Sequence, residues 1–337
     1  MDPVDALRRI AFLLERRLES SYRIKAYRKA ADALADLDPD DVRRMAAAGT
    51  LTRVSGVGDK TATVATEALR DGLPAYLATL EETSGPLAEG GAVVRAGLRG
   101  DLHTHSDWTD GGSPPEQMAA TYVAVGHQYA ALTDHSPRLT VARGLSAERL
   151  REQVGLVAEL NQRLAPFRML TGIEVDILDD GTLDQDDDLL AELDVVVASV
   201  HSKLSMERAA MTRRMVAAVR NPRVDVLGHC TGRLVTGGRG TRKPSRFDAA
   251  RVFAACAESR TAVEINSRPE RSDPPDDLLR LALDADCLVS IDSDAHAPGQ
   301  LDFLDHGCAR AAEHDIAPER IVNGWQLDDL LAWTRAH

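Results

Sequence analysis

Beyond residue 98 the chain settles into a rhythm that few architectures accommodate: short apolar runs, each followed by a helical stretch. The apolar runs are YAALT, RMLTGIEVDI, DVVVASV, VDVLGH, TAVEIN and CLVSID, with LRGDLHTH ahead of them, and helical patterning fills 146–164, 205–219, 247–259 and 276–285. About seven strands alternating with helices predict an α/β fold of parallel β/α units closed into a barrel, in preference to an open sheet. In such a barrel, chemistry belongs to the C-terminal ends of the strands.

Those ends carry an unusual set of side chains. The first run ends in His103 and His105, which a two-residue period places on one face. Later runs bring Asp134 and His135, Glu174 and Asp176, His201, His229, Glu264 and Asn266, and finally Asp292, Asp294 and His296. Of the ten histidines, six fall at predicted strand ends, and His127 is the one in the barrel core region that does not. A single buried imidazole is explained by a bond to a backbone carbonyl. Six on one rim, interleaved with Asp110, Glu174 and Asp294, would repel one another on protonation and leave polar atoms unpaired. A metal cluster resolves both problems. Imidazole and carboxylate without thiolate suit Zn, Mn or Fe, and the Cys230 side chain, beside His229, is expected to face the other way. The nine candidate ligands, His103, His105, Asp110, His135, Glu174, His201, His229, Asp294 and His296, exceed the needs of one ion. They suit about two or three divalent ions, an arrangement that hydrolyses phosphate esters by acidifying a water and neutralising phosphoryl oxygens.

Residues 3–82 read as helices only, with Leu7, Ile10, Leu13, Leu14 and Leu18 at helical spacing and DPDDV capping a short helix that ends at Gly49. Within them LTRVSGVGDKTATVATEAL, residues 51–69, fits a helix–hairpin–helix. Gly56 and Gly58 let the backbone approach a phosphate, the next helix aims its first N–H groups at it, and Lys60 adds charge. Arg23, Lys25, Arg28 and Lys29 on the neighbouring helix extend a phosphate-tracking surface. Residues 83–97, rich in Gly and Pro, read as a linker, so the expected division is 1–82, 83–97 and 98–337. A glycine-rich loop after the fifth strand, RLVTGGRGTRKPSR, carries Arg233, Arg239, Arg242, Lys243 and Arg246 over the same rim, where they can meet a substrate phosphate.

With these residues in hand, the chain resembles the polymerase and histidinol phosphatase (PHP) family over about residues 98–337. The resemblance implies a distorted seven-stranded β/α barrel and a trinuclear site. It assigns His103, His105, Glu174 and Asp294 to one ion, with Glu174 bridging to a second held by His201 and His229. Asp110, His135 and His296 fall to a third. It further implies attack on phosphorus by a metal-bridging hydroxide without a covalent intermediate, with Glu174, Asp294 and His229 as the catalytic core. Within the family, GIEVDILDDGTLD, SVHSKLSMERAAMTRRMVAAVRNPRVDVLGHCTGRL and EINSRPERSDPPD have the character of the C-terminal nuclease region of bacterial family X DNA polymerases. Lys203 and Arg271 in these motifs join Arg233 as candidate substrate contacts. Cys230 stands where that family is expected to have proline. The first segment is similar to the DNA-end-binding domain of the same polymerases, but about 15 residues of linker leave no room for a palm domain, so polymerase activity is not expected. Val64 stands where eukaryotic relatives carry a lyase lysine, which argues against lyase chemistry.

Charge bears on the partner. Of 40 Lys and Arg and 53 Asp and Glu, residues 1–95 hold 14 and 15, leaving 26 and 38 in the acidic remainder. An acidic barrel argues against broad electrostatic binding of nucleic acid and suits carboxylates gathered around cations. The expected activity is therefore hydrolysis of DNA, as a 3′–5′ exonuclease or 3′-end-processing enzyme of repair, with the first segment holding ends or gaps. A small phosphomonoester such as histidinol phosphate is the alternative substrate, and a DNA-binding module with a silent barrel is a third reading. No apolar run reaches about 18 residues, so no membrane span is expected. The charged N-terminus does not read as a secretory signal, and four cysteines without paired spacing point to the cytoplasm. Oligomeric state is not legible in the sequence.

Overall fold

The computed structural model describes residues 1–237 and 240–336. The chain divides into two compact units, Met1–Pro86 with Pro298–Gln300, and Leu87–Ala297 with Leu301–His337.

The first unit is all helical: α1 (Pro3–Glu15), α2 (Ser21–Ala35), α3 (Pro39–Ala47), α4 (Asp59–Asp71) and α5 (Ala75–Glu82). The starts of α1 and α3 follow from local chemistry. Asp2 accepts the amides of Val4 (2.8 Å) and Asp5 (3.2 Å), Asp38 accepts that of Asp40 (2.8 Å), and a proline opens each helix. The helical-period residues Leu7, Ile10, Leu13 and Leu14 pack with Tyr27, Ala30, Val64 and Ala65 into one core. Val64 is therefore a core residue, 3% exposed.

The second unit holds six strands: β1 (Tyr129–Leu132), β2 (Arg168–Asp176), β3 (Val195–Ser199), β4 (Val226–Leu227), β5 (Ala262–Asn266) and β6 (Val289–Asp292). They pair in chain order, all parallel. Helices fill the intervals: α6 (Ala92–Gly97) and α7 (Pro115–Ala124) precede β1, and α8 (Ala147–Leu164), α9 (Asp187–Leu190), α10 (Arg208–Val219), α11 (Ala249–Ser259) and α12 (Asp276–Asp284) connect the strands. After β6 come α13 (Leu304–Glu313) and α14 (Leu327–Thr334).

Two expectations need correction. The run LRGDLHTH is not a seventh strand. Its carbonyls meet β1 and the residue after it (Ala131 N to Asp101 O, 2.8 Å; Thr133 N to Thr104 O, 2.8 Å), and His105 N donates to Ala295 O beyond β6 (2.8 Å). Between these points side chains replace the ladder. Asp292 accepts Leu102 N at 2.8 Å and Asp101 accepts Ser293 N at 3.2 Å, so carboxylates take amides that a strand pair would give to carbonyls. The segment thus closes the ring between β1 and β6 without forming a regular strand. The expected 83–97 linker is likewise only partly a linker. Its second half is α6, and Gly91 sits so close to α13 that a Cβ there would lie 2.5 Å from Ala309 N.

Among the described residues no helix is long and apolar enough to cross a membrane. All four cysteines are buried and unpaired.

Candidate metal centre

The period of two explains why the barrel has an apolar floor and a titratable rim. Tyr129, Ala131, Leu170, Val195, Val197, Val226 and Ala262 share one buried cluster with Val322, Leu330 and Trp333. Continuing β1, β2, β3 and β5 by steps of two from those positions reaches His135, Glu174, Asp176, His201, Glu264 and Asn266 at the C-terminal ends, whereas from Val226 in β4 the same steps lead to Gly228 and Cys230 and leave His229 out of the period. From β6, Ser290 and Asp292 lead in the same way to Asp294, while Val289 and Ile291 pack outward in another cluster.

Glu174 stands at the centre. Its Oε1 lies 2.9 Å from His229 Nε2, 3.2 Å from His201 Nε2 and 3.4 Å from His103 Nε2. Its Oε2 lies 2.8 Å from His135 Nδ1 and 3.6 Å from His105 Nε2. Asp294 Oδ1 is 3.5 Å from His105 Nε2, and Asp110 Oδ1 is 3.4 Å from both His135 Nε2 and His296 Nε2. Four overlapping groups of candidate ligand atoms result: His105–Asp110–His135–His296, His103–Glu174–His229, His103–His105–Asp294 and His135–Glu174–His201. All nine residues singled out in the sequence fall within them. The grouping is less partitioned than the resemblance implies, since His105 also faces Asp110 and His135 also faces Glu174.

The donor set fits divalent cations. His103 Nε2, both ring nitrogens of His105, His135 Nδ1, His201 Nε2, His229 Nδ1 and Glu174 Oε1 are buried and make no hydrogen bond among the described residues. Within each group the candidate ligand atoms lie within 4.8 Å of one another, close enough to share one cation. Charge reinforces this in the metal-free protein. Burial opposes ionisation of Glu174, but His201, His103 and His135 outweigh it and hold the carboxyl well below the usual range. Burial likewise disfavours the His135 imidazolium, but Glu174 and Asp110 outweigh it and raise the group to about 10. His105 is held well below its ordinary value by burial and by His135 and His296 beside it.

Outer contacts hold these side chains in place. Asp134 accepts Ser106 N (2.9 Å), Ser106 Oγ (2.6 Å), Gln153 Nε2 (2.7 Å) and the Thr109 hydroxyl, which anchors the loop carrying Asp110. Asp176 accepts His201 N at 3.1 Å. Asp294 has φ +49°, a left-handed conformation unusual outside glycine and a form of strain that gathers at functional sites. Its carbonyl accepts Arg268 Nη1 at 2.8 Å and lies 2.9 Å from His296 Nδ1, leaving His296 Nε2 toward Asp110. Arg268 was not singled out in the sequence, although it continues the Glu264–Asn266 period by one step. An open cavity of about 310 Å³, lined in part by Asp110, Arg268, Glu270 and His296, gives access to this side.

The expected substrate contacts fare less uniformly. Arg271 is buried with Nε 3.1 Å from Asp294 Oδ2, at the site itself. Arg233 instead donates Nε to Arg271 O at 3.0 Å and Nη2 to Ser272 O, so its guanidinium braces the backbone beneath. Lys203 is exposed and paired with Asp179. Arg242 donates to Gly232 O at 2.6 Å, and Arg239 lies outside the described residues. In the helical unit, Arg28 is committed to Glu15 and Arg23 lies over the Tyr76 ring, while Lys60 is exposed. Gly56 has φ +100° and a Cβ there would lie 3.0 Å from Lys29 Cγ, so the turn requires glycine. Gly58 precedes α4 with open space around it. His127 is 2.9 Å from Arg95 Nη1 and takes no part in the cluster.

Comparison with known families agrees with this geometry. Residues 101–268 match the family model described as the PHP domain. The barrel is a PHP domain. Preceding it, residues 1–73 match the helix-hairpin-helix domain. The chain is 38% identical over 238 residues to the "DNA polymerase/3′-5′ exonuclease PolX" of Bacillus subtilis (strain 168), covering 71% of this chain but 41% of that protein. It is 27% identical to a "Probable phosphatase" of Syntrophotalea carbinolica, covering 66% of this chain and 90% of that one. A solved histidinol phosphate phosphatase from Lactococcus lactis, complexed with zinc, L-histidinol and phosphate, superposes with TM-score 0.45 at 17% identity, covering 65% of this chain and 93% of that one. A PHP domain bearing this donor set makes the chain a metal-dependent phosphoester hydrolase.

Proposed function

We propose that the PHP domain hydrolyses phosphodiester bonds at DNA 3′ ends, as a 3′–5′ exonuclease or 3′-end-processing enzyme, while the helix-hairpin-helix domain holds the DNA. The observation that carries this reading is the presence, in one chain, of a hairpin domain and a nine-residue His/carboxylate cluster, with 38% identity to a 3′-5′ exonuclease across the aligned region. Bound divalent ions, two or three of Zn, Mn or Fe, would supply an acidic water and the charge that neutralises phosphoryl oxygens. The nine clustered residues would hold them, with Glu174 shared. Arg271 and Asn266 fix Asp294 Oδ2 at 3.1 and 3.0 Å, which leaves Oδ1 directed at His105. Arg268 and Arg271, both bonded to Asp294, would also set fixed positive charge beside a phosphate bound at the cluster. The phosphatase relative, matched over nine-tenths of its length, favours a second reading in which the substrate is a small phosphomonoester.

The hairpin separates the two. Chain neighbours aside, no atom of the described residues lies within 4 Å of a Cβ built on Gly58, so Gly58→Ala leaves the fold intact while placing a methyl where a phosphate would approach. Gly58→Ala and Lys60→Ala are expected to weaken DNA binding, with Lys60→Ala lowering the salt slope by about 1, the value for one phosphate contact. Hydrolysis of an artificial small ester should be unchanged. Equal loss of both activities would sink the division of labour.

A further inference from the structure

Glu264, on β5, is fully buried directly behind the cluster and belongs to none of its ligand groups. Its two oxygens face different ligands. Oε1 lies 2.6 Å from His103 Nδ1, and Oε2 accepts His229 N at 2.5 Å and Asn266 Nδ2 at 3.2 Å. Asn266 Nδ2 is also 3.0 Å from Asp294 Oδ2. One carboxylate therefore touches residues that arrive on three separate segments: the closing segment, the loop after β4 and, through Asn266, the turn after β6.

A carboxylate with three donors around it is an acceptor on both sides. Accepting from His103 Nδ1 forces the proton onto that nitrogen and leaves the Nε2 lone pair directed at Glu174, the tautomer a ligand needs. Accepting His229 N fixes the backbone from which that imidazole projects. The contacts reach the His103–Glu174–His229 and His103–His105–Asp294 groups, and none reaches His135, His296 or Asp110.

We propose that Glu264 is the shared positioning residue of the inner metal ligands, setting the His103 tautomer and the seat of His229 together. This rests on the ligand assignment proposed above. The isosteric Glu264→Gln tests it sharply, because an amide has one acceptor oxygen where two sides each present donors. Either the amide N–H₂ confronts His229 N and Asn266, or it confronts His103 Nδ1 and imposes the wrong tautomer.

Full-length protein stripped of metal would be titrated with Zn²⁺ by calorimetry and its metal counted by elemental analysis, with tryptophan fluorescence monitoring the fold. Glu264→Gln is expected to weaken the inner sites by roughly 10- to 100-fold, the usual scale for an outer partner of a metal ligand, while binding at the outer group persists. Glu264→Asp, which keeps the charge but withdraws the oxygens, should also lose inner affinity. Unchanged stoichiometry and affinity in either folded variant would overturn the proposal, as would unfolding of both, which would make Glu264 a purely structural residue. Wild-type protein that takes up no Zn²⁺ would instead overturn the ligand assignment beneath it.

Discussion

Glu174→Ala is expected to reduce hydrolysis by at least about 10³-fold, well beyond the 10- to 100-fold typical of residues outside the ligand shell. The reason is its position. Both oxygens face imidazoles, with His229, His201 and His103 around one and His135 and His105 around the other, all within 3.6 Å. On the ligand assignment proposed above, its removal would take a shared ligand from two ions at once. It also leaves four buried imidazoles and the partly buried His201 without the anion that offsets them, so uptake of more than one ion per chain should be lost. Metal counting alongside turnover checks both parts. A variant that retained wild-type metal content and lost only rate would show that Glu174 is not a bridge.

Asp134→Ala should produce a large loss of stability although Asp134 lies outside the ligand set. Four donors, Ser106 N, Ser106 Oγ, Thr109 Oγ1 and Gln153 Nε2, converge on this buried carboxylate. Leaving them unpaired is expected to cost about 3–5 kcal/mol, the scale for breaking a buried charged network. All three tryptophans, Trp108, Trp325 and Trp333, lie in the barrel unit, so fluorescence-detected urea unfolding reports on that unit alone. A lower midpoint should be accompanied by weaker metal binding at the Asp110 group, because Asp134 anchors the loop that carries Asp110. A midpoint within experimental error of wild type would contradict the role assigned to this network.

The metal centre was legible in the sequence because its signal is periodic. Residues placed by steps of two along parallel strands must share a face, so His135, Glu174, His201 and Asp294 declare themselves once the strands are recognised. What periodicity does not report is hydrogen bonding. The LRGDLHTH run reads as a strand because it is short and sets His103 and His105 at a two-residue period, but Asp101 and Asp292 take its ladder partners. Arg233 reads as a free cation in a glycine-rich loop, yet its guanidinium is spent on the carbonyls of Arg271 and Ser272. Glu264 stands at the right register without a legible role, and Arg268, two steps further, is passed over, because their role is to hold other side chains. The second half of the linker was misread for a related reason: Gly90 and Gly91 suggest flexibility, whereas Gly91 permits close packing against α13.

Product analysis decides between DNA and small phosphomonoesters as the substrate proposed for the barrel. Wild-type protein with Mn²⁺ would be given 3′-labelled DNA and, separately, a panel of small phosphomonoesters, with Asp294→Ala in parallel. The expected outcome is Mn²⁺-dependent release of mononucleotides from the DNA, abolished by the substitution. Phosphate released from the small esters while the DNA stays intact would contradict it.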